Sequence, residues 1–254
     1  MMSLKHSLLY LMINFKNTLL LGHRGARGEA LENTLLGFQH IGRLKNHGLA
    51  GVELDVQLSA DGHLVVFHDE DLARMCGQQS RIAQLTLAEI RRHLQLGHPI
   101  ITLASIAQTL HEFSVIELEI KTHERTDYTA LIQALARDLI DTPLIHLPLV
   151  LTSFDTELHV RLQRHQQLKR LPRGLLIRTA EALATATNTA LQLGCVQLGV
   201  HYPLLSRDII AHSHRYNLPM SAWTVNDIDA IQQLIDWQVD VIITDFPSQV
   251  LGRQ

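Results

Sequence analysis

The sequence predicts an α/β fold, namely a single-domain (β/α)8 TIM barrel. Its 254 residues suit such a barrel, which typically needs ~250 residues. Short apolar runs typical of strands alternate with helical periodicity almost from end to end. This alternation predicts parallel strands joined by right-handed helical crossovers. About eight such units favour a closed barrel, with a doubly wound open sheet as the alternative.

Each predicted element follows from its own pattern of apolar residues. Strands are short apolar or alternating runs, whereas helices place apolar residues three or four positions apart. The predicted strands are 18–23, 51–58, 114–121, 147–154, 173–178, 195–200, 220–225 and 240–246. The predicted helices are 33–47, 86–94, 103–113, 128–140, 155–166, 181–193, 206–216 and 227–237. A short insertion with a hairpin is expected after the second strand.

No linker or composition shift indicates a second domain. Residues 18–254 are expected to form the barrel, and residues 1–17 an N-terminal extension. Its apolar centre, residues 8–13, is far shorter than the ~20 residues that span a bilayer. No small-residue cleavage site follows it. A short helix packed on the barrel is therefore expected instead of a membrane anchor, and the choice between Met1 and Met12 as the start stays open.

The composition is that of an ordinary soluble protein. The net charge is −3, with 46% hydrophobic and 19% charged residues, and no long basic run favours nucleic acid as a partner. Cys76 and Cys195 form no CxxC motif, which indicates a reduced chain, and Cys195 lies in an apolar run typical of a core. We expect a cytoplasmic protein without stable membrane association. The oligomeric state stays open.

Two carboxylates within an apolar strand give the first functional signal. Residues two apart in a strand share a face, so in VELDV the side chains of Glu53 and Asp55 face away from Leu54 and the valines. The apolar face of a barrel strand packs on helices. The two carboxylates should therefore point into the barrel, near the strand ends where barrel enzymes have their active sites.

The hairpin after this strand predicts a partner for the carboxylates. Asp61-Gly62 is typical of a two-residue hairpin loop. With that loop Asp55 lies directly opposite His68, and opposed residues have Cβ atoms ~5 Å apart on one face. A longer loop would shift this register.

The third predicted strand repeats the pattern. In IELEIK the side chains of Glu117, Glu119 and Lys121 face inward, and clustered carboxylates need a counter-charge. Lys121 supplies one positive charge and a bound cation would supply more. Ligands that are all oxygen favour Mg²⁺ or Ca²⁺. A structural ion-pair network is the alternative, and Glu117 is expected to pair with Lys121.

The first predicted strand ends in GHRGARG, residues 22–28. Glycines let a backbone approach a ligand closely, and the guanidinium of Arg24 suits a phosphate. HRG, ExD and ExK at the ends of three strands form a far more specific pattern than any one of them.

With these motifs the sequence resembles the glycerophosphodiester phosphodiesterase family, in its bacterial, cytosolic type. The matching segments are HRGARGEALENTLLGF (23–38), GVELDVQLSADGHLVVFHDEDL (51–72), IELEIK (116–121), LTSFD (151–155), AWTVN (222–226) and VIITDFP (241–247). The resemblance implies a metal-dependent TIM-barrel enzyme. Its substrates would be glycerophosphodiesters, the deacylated headgroups of phospholipids, and its products glycerol 3-phosphate and an alcohol.

The resemblance also implies roles for individual residues. They are metal ligands at Glu53, Asp55 and Glu119, an acid–base pair at His23 and His68, and phosphate-facing cations at Arg24 and Lys121. Trp223 is expected to stack on the glycerol moiety, with simple packing as the alternative. Asp245 is expected to cap the following turn, and Ser153 lacks the partners of a nucleophilic serine.

The sequence departs from the family pattern at three places. Leu31 stands where proline usually precedes ENT, which should alter a turn and not the chemistry. Met75 and Cys76 follow Arg74 where a threonine is more usual. The stretch between His68 and Glu119 is short for the family, and this departure bears on the choice of substrate. Two alternative functions stay open. One is a lysophospholipase D-type hydrolase at a membrane surface, for which the apolar residues 8–15 give the single hint. The other is an inactive barrel that binds ligands, against which the intact set of acidic and histidine residues argues.

Overall fold

The computed structural model describes residues 15, 17–95, 97–111 and 113–252. The helix expected within the N-terminal extension lies outside the described residues, and the division at residue 17 stays a prediction. Among the helices of the described part, none has the length and apolar character needed to cross a bilayer.

Parallel strands close into a barrel. The strands are β1 (Leu19–His23), β2 (Gly51–Leu58), β3 (Leu64–Val66), β4 (Asp71–Leu72), β5 (Gln78–Arg81), β6 (Val115–Ile120), β7 (Leu149–Ser153), β8 (Arg173–Ile177), β9 (Gln197–His201), β10 (Met220–Trp223) and β11 (Val241–Thr244). Strands β1, β2 and β6 to β11 lie side by side in chain order, and β1 pairs with both β2 and β11. These two pairings confirm the predicted TIM barrel and exclude the open sheet.

Helices connect the strands on the outside of the barrel. They are α1 (Leu35–Leu44), α2 (Ala73–Cys76), α3 (Leu87–Leu94), α4 (Ala107–Leu110), α5 (Tyr128–Ile140), α6 (Thr156–Arg164), α7 (Ala180–Leu183), α8 (Ala186–Gln192), α9 (Arg207–His214), α10 (Ile228–Asp236) and α11 (Pro247–Val250). The helix predicted over 181–193 is divided at Thr185, which has a non-helical ψ of 0°.

Alternation along the strands separates two cores. Outward-facing residues such as Val52, Leu54 and Leu118 pack with the helices in the main hydrophobic core, which also holds Cys195 as predicted. A small second cluster includes Leu21 and Ile243, and Ile243 lines a narrow cavity inside the barrel. Each fully buried Val or Leu contributes about 1.5–3 kcal/mol. Because the outer face is apolar, the polar positions of β2 and β6 point inward.

The insertion between β2 and β6 holds the β4–β5 ribbon and the helices α2 to α4. Its apolar side chains form a separate cluster that includes Phe67 and Ile82.

The predicted register of the hairpin is wrong by one position. Val56 pairs with Val66, and the backbone N–H of Phe67 donates to the carbonyl of Asp55. Residue 67, not 68, therefore lies opposite Asp55. The loop holds one more residue than predicted, because Ser59 pairs with His63 and Gly62 adopts a left-handed φ of 81°. A left-handed glycine that closes a three-residue loop is a common alternative to the two-residue turn.

Candidate active site

The loop after β1 folds back onto β2. A Cβ on Gly22 would lie 1.9 Å from the carbonyl oxygen of Gly25, so this close turn requires glycine. Arg24 has a left-handed φ of 50°, and its backbone N–H donates to Oε2 of Glu53 at 3.0 Å. Strained backbone of this kind persists where surrounding contacts fix it, which is common at functional sites.

Three carboxylates meet at the ends of β2 and β6. Asp55 lies beside Glu119 in the parallel register, and Glu53, Asp55 and Glu119 each offer an oxygen within 4.8 Å of the others. Burial and the charge of Asp55 raise the pKa of Glu53, and burial likewise raises that of Glu119. Burial opposes ionisation of Asp55 as well, but Lys121 and Arg24 hold its pKa well below the usual range.

Two cations contact this acidic triad. Nζ of Lys121 lies 2.6 Å from Oε1 of Glu119 and 2.9 Å from Oδ1 of Asp55. Nε of Arg24 lies 3.3 Å from Oδ2 of Asp55. The predicted pair between Glu117 and Lys121 is wrong, because Glu117 lies one pleat deeper, where it accepts hydrogen bonds from Gln197 at 2.6 Å and Ser221 at 3.4 Å.

The donor set of the triad fits a metal ion. Oδ1 of Asp55 is buried, and the ammonium of Lys121 lies 2.9 Å from it. Converging carboxylate oxygens are the ligands that hard divalent cations prefer. Glu53, Asp55 and Glu119 can therefore hold such an ion.

His23 is fixed by a carboxylate on the last strand. Its Nδ1 lies 2.6 Å from Oδ1 of Asp245, so Nδ1 carries the proton that Asp245 accepts and Nε2 keeps its lone pair. Nε2 lies 3.7 Å from Oε2 of Glu53. Burial lowers the pKa of His23, although the Asp245 bond opposes this shift. A neutral imidazole with a free Nε2 is suited to accept a proton.

The sequence led us to expect that Asp245 caps the following turn. This expectation is wrong. Helix α11 begins without a side-chain cap. Instead, Oδ2 of Asp245 accepts a hydrogen bond from Asn226 at 2.8 Å. The backbone N–H of Asp245 donates to the same amide at 2.9 Å. The cause is the closure of the barrel, since Gly22 pairs with Thr244 and the next residues of β1 and β11 become neighbours.

His68 is held from the other side of the site. Nε2 of Gln57 donates to the carbonyls of Phe67 and Asp69, at 2.9 and 2.7 Å, and so clamps the backbone on both sides of His68. Nδ1 of His68 lies 2.7 Å from Oδ1 of Asp69, and Arg74 donates to that carboxylate at 2.6 Å. Burial lowers the pKa of His68. His68 thus reaches the site despite the shifted register.

The two histidines lie on either side of Glu119. His23 and Glu119 line a narrow cavity of about 30 Å³ inside the barrel mouth. His68, Glu119 and Lys121 line a wider cavity of about 530 Å³, which we call the mouth cavity. Both cavities share Glu119, so each imidazole lines a cavity that borders the triad.

The ENT motif supports the triad, a role that the sequence alone did not indicate. Asn33 has a left-handed φ of 53°, and its Nδ2 donates to Oδ2 of Asp55 at 2.9 Å. Glu32 accepts from Arg24 at 2.9 Å and from Arg74 at 2.7 Å. These contacts connect Asp55 to the Asp69–His68 pair through the charges of Arg24, Glu32 and Arg74. Only the motif's place in the resemblance pointed to them.

Trp223 lies at the wall between the cavities. Its ring centroid is 5.5 Å from that of Phe154 and 5.3 Å from that of His201. Its buried Nε1 has no hydrogen-bond partner among the residues that the structure describes. The hydroxyl of Ser153 donates to the carbonyl of Ile120 at 2.9 Å, so its proton is directed at the backbone and not at a base.

Several known proteins are similar to this chain in sequence and in fold. The model of the glycerophosphoryl diester phosphodiesterase family matches residues 23–249. A glycerophosphodiester phosphodiesterase of Caldanaerobacter subterraneus subsp. tengcongensis is 27% identical over 245 residues, which cover 92% of this chain and 97% of the relative. A human lysophospholipase D is 39% identical over 74 residues, or 29% of this chain and 23% of the relative.

A solved structure adds the same result. The crystal structure of a glycerophosphodiester phosphodiesterase from Thermotoga maritima covers 91% of this chain and 96% of its own, with 27% identity and a TM-score of 0.74. The resemblance that the motifs predicted is thereby confirmed: the chain belongs to the glycerophosphoryl diester phosphodiesterase family.

Proposed function

We propose that this chain is a metal-dependent enzyme that hydrolyses glycerophosphodiesters to glycerol 3-phosphate and an alcohol. The observation that carries the proposal is the pair of histidines, each oriented by a carboxylate at Nδ1, on either side of one acidic triad. The family and the similarity to a glycerophosphodiester phosphodiesterase over nearly the whole chain support the substrate class.

Glu53, Asp55 and Glu119 would hold Mg²⁺ or Ca²⁺. When bound, such an ion neutralises charge on the phosphate and polarises its oxygens. Lys121 presents its ammonium to the mouth cavity, where it can donate to a phosphate oxygen. Arg24 is buried and its Nε faces Asp55 at 3.3 Å, so its positive charge would act on a phosphate held at the triad.

The histidines would divide the proton transfers. Nε2 of His23 accepts the proton of the nucleophile, because Asp245 keeps the other proton on Nδ1. His68 donates a proton to the leaving alcohol through the mouth cavity. Such acid–base assistance typically contributes 10²–10⁴-fold in rate. Trp223 would contact the glycerol half at the wall of the narrow cavity.

A substrate panel tests the proposal. Purified protein is incubated with glycerophosphodiesters and with lysophospholipids, with Mg²⁺, with Ca²⁺ and with EDTA. We expect glycerol 3-phosphate from the water-soluble diesters in the presence of a cation, and none in EDTA. Full activity after metal removal would disprove the metal dependence.

A lysophospholipase D-type activity is the second candidate, because the local match to the human lysophospholipase D favours it. Faster release of lysophosphatidic acid than of glycerol 3-phosphate would support it.

A cytoplasmic location is part of the leading proposal, and fractionation of cells that produce the protein tests it. Binding of diesters without turnover would instead favour an inactive barrel.

A further inference from the structure

The mouth cavity is the place where the alcohol half of a diester would sit. This inference rests on the proposed function, in which His68 donates a proton to the departing alcohol. The cavity has a volume of about 530 Å³, enough for a polar headgroup, and opens beside His68 and Glu119. The charges that line it therefore decide which alcohols are accepted.

The carboxylates of the mouth cavity all have partners. They are Asp69 with Arg74 at 2.6 Å, Glu70 with Arg81 at 3.2 Å, Asp71 with the N–H of Ala73 at 2.8 Å, and Glu119 with Lys121 at 2.6 Å. A cationic headgroup would have to compete with these contacts.

Arg178 is the exception among the charged groups that line this cavity. It directly follows β8, and its Cζ lies 3.7 Å from the centroid of the Phe154 ring. Within the described residues its guanidinium makes no hydrogen bond or ion pair. The Phe154 ring in turn packs edge-on against Trp223. The aromatic contact places the guanidinium over the ring, while its N–H donors have no partner within the described residues.

We propose that Arg178 binds an anionic group on the alcohol half of the substrate, so that the enzyme prefers glycerophosphodiesters whose alcohol carries a carboxylate or a phosphate. A planar guanidinium pairs with either anion through two parallel N–H donors. The same geometry disfavours a quaternary ammonium. A choline would stack on an aromatic face, and Arg178 already covers that face of Phe154.

Two isosteric substrates test this proposal. They are the glycerophosphodiesters of γ-hydroxybutyrate and of γ-hydroxybutyramide, which differ in the charge of the distal group. The wild-type protein should have the higher kcat/KM on the carboxylate substrate. Arg178→Gln should lose about 10-fold in kcat/KM on that substrate, mainly through a higher KM, and the loss should become smaller as the salt concentration rises. This variant should lose little kcat/KM on the amide and on glycerophosphocholine. Arg178→Lys should have a kcat/KM between those of the wild type and Arg178→Gln.

Arg161→Gln is the matched control. Arg161 also lies over an aromatic ring, 4.6 Å from the centroid of Tyr128, but outside the mouth cavity. It should leave the preference unchanged. Equal losses of Arg178→Gln on all three substrates would overturn the inference, because Arg178 would then contact the shared glycerophosphate. An unchanged preference would overturn it too.

The outcome separates this inference from the proposed function. If the wild-type protein hydrolyses none of the diesters, the proposed function fails. Calorimetric binding of the two isosteres then still decides the inference. Tighter binding of the carboxylate diester to the wild-type protein, lost in Arg178→Gln, supports it, and equal binding refutes it.

Discussion

Nδ1 of His23 lies 2.6 Å from Oδ1 of Asp245, across the junction where the last barrel strand meets the first. A short contact between an imidazole and a carboxylate fixes both the ring orientation and the tautomer. Asp245 is therefore a positioning residue for the proposed base.

Replacing Asp245 by Asn should lower kcat by about 10²–10⁴-fold, with little change in KM. The amide can donate to Nδ1 and so place the proton on Nε2, the wrong nitrogen for a base. Because the Asp245 hydrogen bond raises the pKa of His23 against burial, the acidic limb of kcat/KM should also move to lower pH.

Asp240→Asn is the control for this change. Asp240 pairs with His214 at 2.7 Å on the outside of the barrel, so this variant should keep its activity. A wild-type kcat for Asp245→Asn would show that Asp245 does not position the base.

The second prediction separates the two histidines by leaving group. An alkoxide needs a proton to leave, whereas nitrophenolate leaves readily as an anion. His68→Ala should lose on the order of 10²–10⁴-fold on natural diesters and much less on a nitrophenyl diester. His23→Ala should be impaired on both. Steady-state rates on the two substrates measure this, and the reverse pattern would exchange the two assignments.

The third prediction concerns Glu117, whose pKa burial raises to about 7. In the unfolded chain the carboxyl ionises near pH 4.5, so the folded state binds the extra proton between these values. Stability should fall as the pH rises through this window. The difference between the two pKa values corresponds to about 3 kcal/mol in the free energy of unfolding.

Glu117→Gln should remove this pH dependence, since the amide oxygen can still accept from Gln197. Urea unfolding of metal-free protein at about pH 5, near the lower end of the window, and at about pH 8, above it, tests the prediction. The variant should gain stability relative to wild type only at the higher pH. A gain of the same size at both would contradict the raised pKa.

The fourth prediction concerns Glu32, whose pKa lies at about 2. Burial raises this pKa, but hydrogen bonds and charges from Arg74 and Arg24 lower it more strongly. The stabilisation that Glu32 gains from the two arginines is therefore complete above about pH 4.5 and is lost as the pH falls toward 2. Glu32→Gln removes the carboxylate that Arg24 and Arg74 share, and leaves Arg24 with Asp55 and Arg74 with Asp69.

Removing one partner of a buried ion pair typically costs about 3–5 kcal/mol. Chemical unfolding near neutral pH should show a loss of this order, and acid titration should show a shallower decline for the variant than for wild type. Glu157→Gln breaks an exposed pair with Arg161 and should change stability by less than about 1 kcal/mol. Similar losses for both variants would contradict the buried role of Glu32.

Local pattern was enough to predict the barrel and the inward carboxylates. Alternation in VELDV and IELEIK determines which side chains face the axis, and the structure places Glu53, Asp55 and Glu119 together. The hairpin register was missed because loop length depends on how Ser59 and His63 pair, which the Asp61-Gly62 signal does not specify.

Contacts between distant segments were beyond reach from the sequence. Arg74 and Glu32 meet 42 positions apart, and no periodicity relates an arginine in the insertion to the ENT motif. Asp245 resembled a turn cap because its partner His23 comes from the other end of the chain. Such pairs follow from closure of the barrel, which local propensity does not describe.

The junction between β1 and β11 has a consequence for the order of events during synthesis. His23 and Asp245 are 222 positions apart in the chain, so no nascent chain that lacks its last strand can have an oriented base. Pairings of such long range form slowly, since loop closure precedes their stabilisation. With His23 as the proposed base, catalytic competence appears only after the two ends have joined, because a growing polypeptide that lacks β11 has no Asp245 to orient the imidazole.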